Sequence, residues 1–180
     1  MTVRDDLGDE NYFEPAERLS QGFDSELLRE PLLVIPALAP VALRPDDSVT
    51  DAMRLMQREH RGCVLVTDDG TSGSKLTGIF TERDVLFRIV DKGRNPAALP
   101  IGDVMTPNPE ALSVHATVAY VLNKMSVGGF RHVPVIDDEY RPVRVISVRD
   151  VVAFLVEAFP REVLNLPDVG VTPPRAREGA

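Results

Sequence analysis

The chain has 180 residues, 43% hydrophobic and 27% charged, which fits one compact globular domain or two small ones. Its net charge of −8 argues against general binding to nucleic acid or to an anionic membrane, because both need a basic face. A single cysteine, Cys63, excludes an internal disulfide and a cysteine zinc cluster. The acidic start does not resemble a secretory signal, and no run approaches the roughly 20 apolar residues of a membrane span, so we expect a cytoplasmic protein.

Residues 1–34 form an acidic, weakly patterned arm that we expect to be partly disordered. A short helix is predicted near its end, from Ser25 to Glu30. The run 31–40 is apolar and rich in proline, which removes backbone donors and fixes an extended backbone. We therefore predict that this run is an extended segment packed on the domain.

The next elements are a strand, a helix, a strand pair and a second helix. The first helix begins at Ser48, a typical N-cap residue, with Asp51 three residues later and apolar residues at helical spacing. A loop rich in Asp, Gly and Ser connects the strand pair, which predicts a hairpin. The second helix begins at Thr81 and ends before Gly93. The strands are predicted at 41–43, 63–67 and 76–80.

The same order of elements returns after a proline-rich connection at residues 95–109. The second set comprises strands at 111–114, 133–136 and 143–146, a helix from Thr117 to Gly128 and a helix from Ser147 to about Phe159. The first helices are offset by 69 positions (118 − 49) and the second helices by 66 (147 − 81), because the first hairpin loop is three residues longer. The chain therefore contains two copies of one structural unit. A unit of about 60 residues buries too little surface to be very stable alone.

Each copy ends its last strand with a hydroxyl residue, followed by Arg and Asp at the start of a helix. These segments are Gly78-Ile79-Phe80-Thr81-Glu82-Arg83-Asp84 and Arg144-Val145-Ile146-Ser147-Val148-Arg149-Asp150. The free N–H groups and positive dipole of a helix N-terminus attract anions, the Arg adds a cation, and the Asp can accept hydrogen bonds from a diol. Together these groups suit a phosphate and a ribose. The alternative is a helix capping box, in which the hydroxyl and the acid bond only to the backbone; the two interpretations are compatible.

The order of elements and several motifs resemble a tandem pair of CBS domains, also called a Bateman module. The motifs are Met105-Thr106-Pro107, Arg131-His132-Val133-Pro134-Val135-Ile136-Asp137 and the two hydroxyl-x-x-Asp segments. The resemblance covers about Ile35 to Phe159 and implies an α/β (α+β) fold of two pseudo-symmetric β-α-β-β-α repeats packed face to face. We place the repeats at 35–99 and 100–160, and we expect the tail 161–180 to be disordered.

The resemblance also implies two clefts between the repeats that bind an adenosine ligand, and each cleft would also draw on the other copy, including the residues that enter its central strand. That ligand would be AMP, ADP or ATP, or otherwise S-adenosylmethionine, NAD or cyclic di-AMP, and no cofactor is required. By similarity, the contacts fall on matched pairs of residues in the two copies. These pairs are Asp84 and Asp150 for the ribose hydroxyls, Thr81 and Ser147 near phosphate or ribose, and Ile79 and Val145 beside the adenine. Arg83 and Arg149 are the cations that the two segments themselves provide.

The copies differ where the chain enters the central strand. Alignment places Arg61-Gly62-Cys63 opposite Phe130-Arg131-His132, so the second copy offers two potentially cationic groups where the first offers one. We therefore hypothesise that the cleft with Ser147 and Asp150 is the better phosphate site, with Arg131 and His132 binding there. Arg144 replaces the glycine of the first copy, and it either points to solvent or fills this cleft.

These features predict a regulatory module that binds an adenosine ligand, forms a homodimer and passes the bound state to an unidentified partner protein. No catalytic constellation or metal cluster is visible, so we expect no enzyme activity. Cys63 is expected to be a buried structural thiol, and His60 and His115 to be surface residues. The alternative is a structural interaction module whose clefts are empty or filled by side chains, and a weaker one is an enzyme acting on adenosine nucleotides.

Overall fold

Both sets of elements are present in the computed structural model, which describes residues 25–159. The first copy consists of β1 (Ala42–Leu43), α1 (Val49–Arg58), β2 (Cys63–Thr67), β3 (Leu76–Thr81) and α2 (Glu82–Asp84), which continues as a π-helix (Val85–Val90). The second copy consists of β4 (Thr106–Pro107), β5 (Leu112–Ser113), α3 (Val118–Gly128), β6 (His132–Ile136), β7 (Pro142–Ser147) and α4 (Val148–Ala158). The disorder expected before residue 25 and in the tail 161–180 concerns residues outside the described range.

The strands form two small sheets, one in each copy, and β4 of the second copy joins the sheet of the first by pairing antiparallel with β3. The first sheet has the order β1-β2-β3-β4 and the second the order β5-β6-β7. β1 runs parallel to β2 and β5 to β6, whereas the hairpins β2–β3 and β6–β7 are antiparallel. Thr81 and Ser147 are each the last residue of a strand and the N-cap of the helix that follows. Both hydroxyl-x-x-Asp segments therefore lie at a strand-to-helix turn, as predicted.

Three clusters of buried side chains stabilise the fold. One lies inside the first copy around Phe80, and another lies inside the second copy around Ile146; both residues are fully buried. The third cluster joins the two sheets. Its buried members are Cys63, Leu65, Leu76, Ile79, Ile136 and Val145. Because these residues come from β2, β3, β6 and β7, the copies pack face to face through their sheets, which confirms the predicted architecture.

The segment that precedes each copy packs on the other copy. We call residues 31–40 the first lead-in and residues 100–109 the second lead-in. The buried pairs are Leu32 and Ile35 in the core of the second copy, and Ile101 and Val104 in the core of the first. The N–H groups of Leu32 and Ile101 donate to backbone carbonyls just before the first helix of the opposite copy, at 2.9 and 2.8 Å. The two lead-ins are thus exchanged symmetrically, with the same offset of 69 positions (101 − 32).

Arg144 and Gly78 occupy equivalent positions but contact the lead-ins in different ways. Arg144 Nη1 donates to the carbonyl oxygens of Leu33 and Ile35 at 3.1 and 3.2 Å. Gly78 is buried, and a Cβ built on it would lie only 2.1 Å from Met105 Sδ. Arg144 therefore lies neither free in solvent nor in the two clefts described below: it binds the first lead-in, whereas Gly78 leaves room for the second.

Candidate functional site

The Thr81–Asp84 segment folds as a capping box at the start of α2. The N–H and Oγ1 of Thr81 donate to Asp84 Oδ2 at 2.9 and 2.8 Å, and the Asp84 N–H lies 3.4 Å from Thr81 Oγ1. The same geometry recurs at α4, where the N–H and Oγ of Ser147 donate to Asp150 Oδ2 at 2.7 and 2.8 Å. The capping interpretation is therefore confirmed in both copies. It leaves Oδ1 of each carboxylate for another partner.

That other partner differs between the copies. Oδ1 of Asp84 forms an ion pair with Arg88 Nε at 3.1 Å. Three hydrogen bonds of 2.5–3.1 Å also connect the Arg88 guanidinium to oxygen atoms of the second lead-in. At the equivalent position (88 + 66) the second copy has Phe154, which carries no polar side-chain atom. Within residues 25–159, Oδ1 of Asp150 consequently has no hydrogen-bond or ion-pair partner.

A cavity of about 330 Å³ lies between the start of α2 and the start of β6, and we call it the first cleft. The sequence-predicted site residues that line it are Ile79, Thr81, Arg83, Asp84, Arg131 and His132. Its apolar wall includes Ile79, Pro109, Phe130 and Pro134. Across the described range neither Arg83 nor Arg131 has an ion pair, so two guanidinium groups remain for an anion. The volume lies within the range of small-molecule sites, about 300–1,000 Å³.

A smaller cavity of about 80 Å³ lies at the start of α4, and we call it the second cleft. The predicted site residues that line it are His132, Val145, Ser147, Arg149 and Asp150. Its other lining residues include Leu38 from the first lead-in and Arg61 from the entrance to β2. The Nε of Arg61 is buried without a hydrogen-bond partner among the described residues. This cleft is smaller than typical ligand sites, so it is the less suitable of the two for a whole nucleotide.

Arg131 lines the first cleft with Asp84 and does not line the second cleft, where alignment of the copies predicts it, although its carbonyl oxygen accepts from the Val148 N–H at 3.0 Å. The physical reason is the face-to-face packing of the sheets, which brings the start of each central strand close to the helix start of the opposite copy. Arg131 thus joins Asp84, and Arg61 joins Asp150. The grouping of Arg131 with Asp150 is corrected accordingly, and this part of the charge asymmetry favours the first cleft instead.

His132 lines both clefts. Its ring is so close to the first copy that a Cβ built on Gly62 would lie 2.8 Å from the ring atoms Cε1 and Nε2. Burial lowers the pKa of His132 below its usual 6.5. The charged groups acting on it are Glu82 and Asp150, which raise the pKa, and Arg131 and Arg149, which lower it. A largely neutral imidazole therefore separates the two clefts at neutral pH.

Cys63 is 5% exposed at the edge of the second cleft, and burial raises the pKa of its thiol to about 12. The thiol stays protonated at neutral pH and is a poor nucleophile, which confirms the prediction of a buried structural cysteine. Residues 25–159 contain no group of three or more side chains that could together bind a metal ion. No helix in the same range is both long and apolar enough to cross a membrane.

The sequence profile of the CBS domain matches this chain twice, at residues 29–91 and 101–157. The chain belongs to the CBS domain family. CBS pairs are regulatory modules. A relative from Arabidopsis thaliana, CBS domain-containing protein CBSCBSPB3, is 31% identical over 68% of this chain and 23% of its own length. The mitochondrial CBS domain-containing protein CBSX3 of the same organism is 32% identical over 67% of this chain and 59% of its own length, so the chain spans under two thirds of either relative.

Solved structures share this CBS pair fold. An uncharacterized conserved protein from Pyrococcus horikoshii superposes with a TM-score of 0.63 at 25% identity, over 71% of this chain and 93% of that one. The CBS domain pair of protein MJ0100, solved in complex with 5′-methylthioadenosine and S-adenosyl-L-methionine, gives a TM-score of 0.61 at 22% identity, over 69% of this chain and 98% of that one. The latter likeness concerns the fold alone. The repeat boundaries 35–99 and 100–160 stay predictions.

Sequence reasoning missed Arg88 and Arg61 as cleft residues. The signal for Arg88 is its spacing of four residues from Asp84, which places both side chains on one face of a helix. Arg61 is visible as the residue opposite Phe130 in the alignment of the two copies. Assigning either residue to a cleft requires the packing of the two copies, which the helical and strand periodicities do not contain.

Proposed function

We propose that this CBS pair is a non-catalytic regulatory module that binds an adenine nucleotide, AMP, ADP or ATP, in the first cleft. The observation that carries the proposal is the combination of an apolar wall, a capped Asp carboxylate and two arginines without ion pairs in one cavity of about 330 Å³. The MJ0100 CBS pair was solved with adenosine ligands, and we extend that ligand class to this chain.

Each part of an adenine nucleotide has a matching group in the first cleft. The adenine would lie against Ile79 and Phe130, because an aromatic base loses little on leaving water for an apolar wall. The phosphate would accept charge-assisted hydrogen bonds from Arg83 and Arg131. The ribose hydroxyls would lie beside Asp84, whose Oδ1 is not used by the capping box.

The regulatory signal would come from the way that both copies line the first cleft. Asp84 belongs to the first copy and Arg131 to the second, so a bound ligand stabilises one mutual arrangement of the copies over others. A partner protein that distinguishes these arrangements would sense the ligand. A cytoplasmic location stays a prediction.

We also propose that the module forms a homodimer through exposed apolar side chains. Leu86, Phe87 and Val90 on the π-helix after α2 are each more than half exposed. Exposed apolar side chains grouped on one helix are typical of interaction surfaces. The same observation supports the second candidate function, a structural interaction module that binds no nucleotide.

Isothermal titration of the full chain tests the nucleotide proposal, with AMP, ADP and ATP first, S-adenosylmethionine, NAD and cyclic di-AMP next, and GTP as the base control. The variants Asp84→Asn and Asp150→Asn form a matched pair, because each keeps the size of a capped side chain in one cleft and removes its charge. We expect at least a tenfold loss of affinity for Asp84→Asn and a clearly smaller loss for Asp150→Asn.

A thermal-shift measurement provides an independent readout. A ligand at about 100 times its dissociation constant stabilises the folded chain by about 2.7 kcal/mol, which raises the melting temperature by several degrees. A greater loss for Asp150→Asn than for Asp84→Asn would move the site to the second cleft. The absence of binding by any adenosine ligand would leave the interaction module as the better account.

A further inference from the structure

Arg88 gives the first cleft a hydrogen-bond donor that the second cleft lacks. Its Nη1 donates to the carbonyl oxygens of Val104 and Met105 at 2.5 and 2.6 Å, and its Nη2 donates to Thr106 Oγ1 at 3.1 Å. A guanidinium carries five N–H groups, two of them on Nη2. Within residues 25–159 one Nη2 N–H therefore has no acceptor, although Arg88 lines the cavity.

The acceptor beside this donor is partly occupied. Asp84 Oδ2 already accepts from Thr81, and Oδ1 lies 3.1 Å from Arg88 Nε. A carboxylate has about four acceptor positions, so Asp84 offers a ligand about one, next to the spare donor of Arg88. Asp150 offers both positions on its Oδ1, next to the apolar Phe154. The first cleft thus presents one acceptor and one donor, and the second presents two acceptors.

We propose that Arg88 determines the ribose specificity of the first cleft, so that this cleft accepts adenosine nucleotides with one substituted ribose hydroxyl. One ribose hydroxyl donates to Asp84, and the other ribose oxygen accepts from Arg88. The accepting oxygen needs no proton, so an ether or a phosphodiester at that oxygen keeps the hydrogen bond. This inference rests on the proposed function, because it concerns the ligand of the same cleft.

Arg88 is fixed well enough to act in this way. Two backbone carbonyls and one hydroxyl of the second lead-in bind its guanidinium, and the Asp84 carboxylate neutralises its charge. Rotating Arg88 away on ligand binding would leave these carbonyls and a carboxylate that is 12% exposed without their partner, which is costly. The donor is therefore preorganised before the ligand arrives.

Isothermal titration on the full chain with Asp150→Asn, which disables the ribose acceptor of the second cleft, tests the proposal. The ligands are AMP, 2′-O-methyl-AMP, 3′-O-methyl-AMP and the corresponding 2′- and 3′-deoxy nucleotides. We expect one of the two methyl ethers to bind within about threefold of AMP. The deoxy nucleotide of the same position should bind about tenfold weaker, because it leaves the Arg88 donor unpaired.

The variant Arg88→Lys keeps the charge but not the planar fork of donors. The second hydroxyl of AMP can then donate to Asp84, which an ether cannot do, so the variant should weaken the tolerated ether about tenfold more than it weakens AMP. Arg54→Lys on the exposed face of α1, outside both clefts, is the matched control and should change neither affinity. The inference is overturned if AMP binds to the protein that retains Arg88 and both methyl ethers bind it more than tenfold more weakly than AMP. An equal loss of affinity for AMP and for the ether in Arg88→Lys also overturns it. A failure of AMP, ADP and ATP all to bind overturns the proposed function itself.

Discussion

Gly78→Ala tests whether the second lead-in contacts the first sheet as closely as the structure places it. A Cβ at position 78 would lie 2.1 Å from Met105 Sδ and 3.0 Å from Met105 Cγ. Since unstrained carbon contacts begin at about 3.5 Å, the Met105 side chain has to move by about 1.4 Å or more. The neighbouring residues of the first core limit that movement, because Met105 packs against them.

The expected cost follows from two opposing effects. Overpacking costs about 1–3 kcal/mol, and a flexible, partly exposed methionine places this case near the middle of that range. Replacing a strand glycine by alanine returns about 0.5–1 kcal/mol of chain entropy. The free energy of unfolding should therefore fall by about 1–1.5 kcal/mol, or about 2–6 °C in melting temperature for a chain of this size.

Urea denaturation followed by circular dichroism measures this loss, and a double-mutant cycle locates it. In the Gly78→Ala/Met105→Ala protein, the added methyl group occupies space that the shortened side chain leaves, so the cost should be about 1 kcal/mol less than the sum of the single costs. Gly73→Ala is the control, because its Cβ would lie an ordinary 3.5 Å from Thr71 Oγ1. A Gly78→Ala cost within 0.5 kcal/mol of the control, or strict additivity in the cycle, would refute the contact.

Three further predictions concern other parts of the molecule. Arg144→Ala removes the side chain that binds two carbonyls of the first lead-in, so the free energy of unfolding measured by urea denaturation should fall by about 1–3 kcal/mol. Amide hydrogen exchange at residues 31–40 should also become faster, and native-like exchange there would contradict this role of Arg144. Burial lowers the pKa of His132, so the contribution of this residue to stability is complete above pH 6.5 and is lost as the pH falls through its folded-state pKa. The free energy of unfolding should therefore fall less steeply at acid pH in His132→Asn than in the native protein, whereas the exposed control His115→Asn should leave that fall unchanged. Cys63, with a pKa of about 12, should react with a thiol reagent at pH 8 far more slowly in the native protein than in urea, and equal rates would refute its burial.

The duplicated fold is predictable from the sequence because its signals are local. N-cap residues such as Ser48, apolar spacing within helices and turn residues in hairpins each lie within a few positions of the structure that they determine. The capping boxes at Thr81 and Ser147 are equally local, spanning three residues. An offset of 69 or 66 positions then shows that the same elements occur twice.

The composition of the clefts is less predictable because it depends on contacts distant in the sequence. Arg88 binds oxygen atoms 16 to 18 residues away, and Arg144 binds a lead-in 109 and 111 residues away. Arg131 lines the cleft that contains Asp84 of the opposite copy for the same reason, since the packing of the sheets brings the two residues to one cavity. The identity of an aligned residue predicts its local conformation, but it does not predict the surface that it contacts.

Because the lead-ins are exchanged, one repeat of the sequence does not correspond to one half of the folded molecule. Each half of the molecule is assembled from two separate stretches of chain, because the apolar pairs Leu32 and Ile35 or Ile101 and Val104 arrive from the other repeat. A cut in the loop around Gly93 would produce two fragments that each lack part of their own interior and carry part of the other's. Such fragments can complete both interiors only by associating, so the two repeats are interdependent folding partners and not independent modules joined by a linker.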